Sequence, residues 1–181
     1  MLPRLFLYTL AWVVPLTLAA QTLHPFKKRP EPTGLKILST TIDRDRNIVV
    51  KVQNTTDKTV DAYVISYKEL DKNGLPITPY GSGMAVDLAY PNHTPREFGP
   101  GQIITIENRA TKEAASVEVT FTGVVYSDLT ARGETADLIF SRRYEDGQER
   151  RRQSANAEGE KKAELERQAE WYEVHSKEVE K

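Results

Sequence analysis

The stretch from Val60 to Leu70 constrains the fold more than any other part of the chain. Val60, Ala62, Val64, Ser66 and Lys68 fall on one side of an extended backbone; Tyr63, Ile65, Tyr67 and Glu69 fall on the other. Both sides carry apolar groups. A strand of this kind needs cover on both faces, which makes it a central strand of a layered β structure.

Its neighbours fit that reading. Leu35 to Ile42 and Ile48 to Val52 are rich in β-branched residues, and the polar turn Asp43-Arg44-Asp45-Arg46-Asn47 separates them. Gln53 to Lys58 is a second turn, and Asp71-Lys72-Asn73-Gly74 a third. Further strands are expected at Met84 to Leu88, Gln102 to Glu107 and Val117 to Tyr126. No helical pattern lies between them, so the expectation is an antiparallel sandwich over residues 35–134 rather than a βαβ repeat.

The periodicity changes near Thr135. A helix is expected there, with Thr135 capping it through its hydroxyl, Asp137 in the first turn, and Ala136, Ile139, Phe140 and Tyr144 forming one stripe. A strand through Leu138 and Phe140 is the competing reading. Gly147 weakens the helix, and Asn156 to Gly159 interrupts it. Glu160 to Lys181 is a second helical stretch, with Leu165, Ala169, Tyr172 and Val179 as a short seam and Glu173–Lys177 as an i,i+4 pair. Residues 135–181 thus read as a highly charged helical tail, projecting from the domain until it orders against a partner or the sandwich surface.

The opening residues read as a secretory signal peptide over 1–20. Arg4 precedes an apolar run from Leu5 to Leu18, and Ala19-Ala20 supply small residues for cleavage. The run falls short of the roughly 20 residues a membrane span needs; an uncleaved anchor is the alternative. Residues 21–34 hold Pro25, Pro30, Pro32 and the run Lys27-Lys28-Arg29, a proline-rich basic linker. The expected location is exported, periplasmic or extracellular.

An exported chain without cysteine has no disulfides, thiol nucleophile or zinc–thiolate site, so its core must hold it unaided. The net charge of −1 gives no global steering toward nucleic acid or membrane. Arg150-Arg151-Arg152 has no interleaved aromatics, and nucleic acid is not an expected partner.

The three histidines are His24 in the linker, His93 in the long 75–101 loop and His175 in the tail. Ser82, Asp87 and His93 make a hydrolase site in that loop conceivable, though no nucleophile-elbow motif accompanies them. Asp43, Asp45, Asp57 and Asp61 could gather calcium at one end of a sandwich, but Asp71-Lys72-Asn73-Gly74 lacks the further ligands of an EF-hand. Asn54-Thr55-Thr56 and Asn92-His93-Thr94 have the form of glycosylation sequons. No cofactor is expected.

The run Ile48 to Thr56, the strand Val60 to Tyr67, the turn Asp71 to Gly74 and the pair Pro100-Gly101 together resemble bacterial immunoglobulin-like domains of the FxLYD type. Val64-Ile65-Ser66-Tyr67-Lys68 stands where the naming motif belongs. Val124 to Glu134 is similar to a strand–turn segment of exported bacterial proteins without assigned activity, with Leu129 where their turn has glycine. The resemblance implies an immunoglobulin-like sandwich, a bacterial host, and a role in binding or spacing. The expected function is therefore a non-enzymatic exported interaction or structural module, with a hydrolase in the 75–101 loop as the alternative. Its partner would be another exported protein, met through that loop or the C-terminal helix. The contact residues would be Tyr80, Met84, Tyr90, Phe98, Trp171 and Tyr172.

Overall fold

A computed structural model describes residues 33–78, 81–89 and 98–179. The signal segment, most of the linker, and Tyr80, Tyr90 and His93 lie outside the described residues. The strands are β1 Leu35–Ile42, β2 Asn47–Asn54, β3 Val60–Leu70, β4 Ser82–Asp87, β5 Ile103–Arg109, β6 Ser116–Tyr126 and β7 Ala131–Arg132. Two helices follow, α1 Ala136–Ala155 and α2 Gly159–His175. One sheet has the order β1-β2-β5 and the other β4-β3-β6-β7, with antiparallel pairing throughout. This is an immunoglobulin-like arrangement in which the fourth strand pairs with the third. The short β7 was not expected from the sequence.

β3 is central, as its two apolar faces require. Tyr63, Ile65 and Tyr67 point between the sheets, where they meet Ile48, Val50, Val52, Ile106, Phe121 and Val124. Ala62 and Val64 point the opposite way, into a second core with Val125, Ala131, Ala136, Ile139 and Phe140. The molecule therefore has three layers: sheet, sheet and helical hairpin.

The turns are held by local chemistry. Asp43 accepts hydrogen bonds from the Asn47 backbone N–H (2.7 Å) and side-chain amide (3.0 Å), which hold its carboxyl below the usual range. Asp71 does the same for its own turn, accepting from the Asn73 and Leu75 N–H groups at 2.8 and 2.9 Å. Leu38 is the extra residue of a bulge between Ile37 and Ser39 in β1, which explains its exposure.

Helix wins over strand at 136–155. Its buried face is Ala136, Ile139, Phe140, Arg143 and Gly147. Tyr144 is 57% exposed and does not belong to it. Two helical turns span about 7.2 residues, so position 143 returns to the stripe more closely than 144. Thr135 flanks the helix, but its hydroxyl meets the Thr122 hydroxyl at 2.7 Å instead of capping a backbone N–H. That contact belongs to a close approach of α1 to β6. A Cβ on Gly123 would sit 2.6 Å from the Ala136 nitrogen, so only glycine admits the helix there.

The tail does not project. Leu165, Ala169 and Tyr172 of the expected seam are buried as α2 folds back on α1, while Val179 lies beyond the helix. Gly147 is where the two helices touch: a Cβ would come within 2.9 Å of the Tyr172 Cβ. Glu173 pairs with Arg151 across the hairpin (2.8 Å between Nη2 and Oε2), and Lys177, its expected i,i+4 partner, adds a weaker electrostatic attraction. Among the described residues no helix is long and apolar enough to cross a membrane.

Candidate functional site

The most heavily built polar region lies at the pole of the sandwich where β2 ends and β3 begins. Asn54 organises one side of it. Its side-chain amide donates to the carbonyls of Lys58 (2.8 Å) and Phe98 (2.9 Å); its side-chain oxygen accepts from the Thr56 N–H (3.0 Å) and hydroxyl (2.7 Å). Asn54 is fully buried, so the sequon at that position offers no amide for glycosylation in the folded chain. Asn54 and Thr56, at the end of the Ile48 to Thr56 run, thus have a physical role as the clasp of the β2–β3 connection. Lys58 adds an ion pair to Asp128 at 2.9 Å and a hydrogen bond to the Thr130 hydroxyl at 2.7 Å.

The other side is an ionic cluster shared by four elements. Arg143 of α1 is 1% exposed. Its Nε and Nη2 donate to the two carboxylate oxygens of Asp87 at 2.6 and 2.9 Å, a bidentate fork. Its Nη1 donates to the backbone carbonyl of His175, the last residue of α2, at 3.2 Å. Its guanidinium carbon lies 5.3 Å from the centre of the Trp171 ring, and that ring stacks on His175 at 4.0 Å. The His175 Nδ1 lies 2.7 Å from the Trp171 carbonyl, an acceptor, which places a proton on Nδ1.

Asp61 joins the cluster through a β-bulge. In β3, Val60 pairs with Tyr126 and Ala62 with Val125, leaving Asp61 as the additional residue. Burial pushes its carboxyl above the usual carboxylate value; Arg143 and His175 oppose the rise, and Asp87 and Asp128 add to it. On the opposite face of β3, burial likewise raises the Tyr67 phenol, and among the described residues no hydrogen-bond partner reaches its hydroxyl.

These positions correct several sequence-based expectations. Ser82 and Asp87 stand at opposite ends of β4, about 16 Å apart at strand rise. Both oxygens of Asp87 are held by Arg143, and Oδ1 also accepts from the Ala89 N–H. Asp43 and Asp45 lie at one end of β2 and Asp57 and Asp61 beyond the other, so the four do not gather. Among the described residues no group of three or more His, Asp or Glu could hold a metal ion.

Of the six expected contact residues, Tyr80 and Tyr90 lie outside the described residues. Phe98 is fully buried against the sandwich core, and its carbonyl accepts from the Val60 N–H at 3.0 Å. Tyr172 is 1% exposed in the hairpin seam. Neither offers area to a partner: their apolar surface serves the chain's own packing. Trp171 is half-buried, enclosed by Arg143 and His175. Met84 stays 39% exposed on edge strand β4. Arg143 was missed because a charged residue on a helix reads as solvent-facing. Its spacing from Ala136, Ile139 and Phe140 was the available signal.

No family model matches the sequence, and no curated protein does. The crystal structure of Campylobacter jejuni cj0090 superposes with a TM-score of 0.32 at 13% identity, over 51% of this chain and 88% of that one.

Proposed function

We propose that this chain is an exported, non-enzymatic interaction or structural module. The observation that carries the reading is how the buried ionic cluster is used. Arg143, Asp87 and His175 are committed to one another and to backbone groups, so their chemistry holds the hairpin on the sheet. Contact falls to the surface of β4, an edge strand on which Met84 is exposed.

The test is a photo-crosslinking residue at position 84, with position 51 on the opposite sheet as control, in the chain expressed with its leader in a bacterial host. The secreted product should begin at Ala20 or Gln21. Position 84 should give a discrete crosslink to another exported protein, and position 51 none. Retention of Met1 refutes export, and identical patterns from both positions refute the β4 surface as the contact.

A further inference from the structure

The turn that closes β3 carries chemistry that the fold does not use. Asn73–Gly74 is the one place in the chain where asparagine precedes glycine. Lys72 to Pro76 are exposed, and among the described residues a Cβ on Gly74 would meet nothing within 4 Å. With no side chain of its own, Gly74 leaves its backbone nitrogen unhindered for attack on the Asn73 side-chain amide. Asp71 holds both reacting groups. Its carbonyl accepts from the Gly74 N–H at 3.0 Å, and its Oδ2 accepts from the Asn73 Nδ2 at 3.3 Å. Its Oδ1 accepts from the Asn73 and Leu75 N–H groups at 2.8 and 2.9 Å, and its own N–H donates to the Leu75 carbonyl at 2.9 Å, which closes the turn. A reaction between neighbouring groups is fast only when the reacting atoms reach attack geometry, and here each must first give up its own hydrogen bond.

We propose that Asn73–Gly74 is a self-modification site and that Asp71, as a positioning residue, holds back its rate in the folded chain. The Gly74 nitrogen loses its proton to solvent base and bonds to Asn73 Cγ. The Cγ–Nδ2 bond breaks, and the amide nitrogen picks up a proton and leaves as ammonia. Water then opens the cyclic imide at either carbonyl, leaving aspartate or isoaspartate at position 73, and no oxidant or reductant is consumed. The aspartate product sets a second carboxylate against the Asp71 Oδ2, where the amide had donated. The isoaspartate product lengthens the main chain by one methylene just ahead of Leu75, whose N–H and carbonyl both bind Asp71. Either product loosens the turn that leads from β3 toward β4.

Peptide mapping by mass spectrometry, after incubation of the purified full chain at mildly alkaline pH, tests this. The readout is the rate at which the amide at position 73 becomes an acid, with isoaspartate resolved from aspartate. The folded chain should react about tenfold more slowly than a free peptide spanning Glu69 to Ile77, the factor that one hydrogen bond of ordinary net strength holds back. Asp71→Ala removes the carboxylate acceptor and should move the rate several-fold toward that of the peptide. A wild-type chain as fast as the peptide, or an Asp71→Ala chain as slow as the wild type, overturns the proposal. Should circular dichroism show that Asp71→Ala has lost the wild-type fold, Asp71→Asn decides by the same criterion. Its side-chain oxygen still serves the Asn73 and Leu75 N–H groups, while its amide nitrogen cannot accept from the Asn73 Nδ2.

Discussion

Replacing Arg143 with methionine removes the cation but keeps most of the side-chain length. It leaves Asp87 beneath the hairpin without the cation that engages both its oxygens. Breaking a buried ion pair by deleting one member costs about 3–5 kcal/mol. Asp87 keeps 19% of its side chain exposed, so water can reach it and the lower part of that range applies. The lost contact with the Trp171 ring adds about 0.5–1 kcal/mol. The expected cost is about 4 kcal/mol, a large share of the 5–15 kcal/mol that typically holds a domain. Urea unfolding followed by circular dichroism should show a midpoint lower by about 1–2 M. The double variant Arg143→Met, Asp87→Leu should recover most of the loss, because a buried pair replaced by apolar groups leaves no orphan charge. A loss below about 0.5 kcal/mol for the single variant, or strictly additive losses in the double, would refute the assignment of this pair as the latch between helix and sheet.

Asn54→Ala should destabilise by about 2–4 kcal/mol, since it removes four hydrogen bonds of a fully buried side chain at once; thermal melting checks this, and a neutral result would deny the clasp. Leu129 sits at φ 60°, the left-handed region, so Leu129→Gly should stabilise by up to about 1 kcal/mol, less the packing its half-buried side chain gives up. A loss above about 1 kcal/mol in the same melt would show that the packing outweighs the strain.

The strands were legible because alternation and turn residues are local signals. Val60 to Leu70 announced cover on both faces, although the identity of the second cover, a helical hairpin rather than a third sheet, was not written in β3 itself. That information lay in Gly123 and Gly147, whose missing side chains make sense only when the approaching backbone is known. Phe98 and Tyr172 looked like contact residues because they sit among prolines and charges; what buries them is distant in sequence. Arg143 was hidden for the opposite reason. Its fork partner Asp87 is 56 positions away, and a charge is read as exposed until its counter-ion is found. The projecting tail failed on similar grounds: the weak seam of α2 is too short for a coiled coil with another chain but long enough to close on α1.

The Thr33 carbonyl accepts from the Tyr126 hydroxyl, and the Val179 N–H donates to the Leu129 carbonyl. The two described ends of the chain are thus moored three positions apart, on either side of one tight turn. Mechanically, a tether at either end holds the module by the same point, and the turns at 43–46 and 71–75 lie at the far pole. Tension between the two ends bears first on those two hydrogen bonds. A body hung from a single point can be spliced into a loop of a larger host without stretching that host.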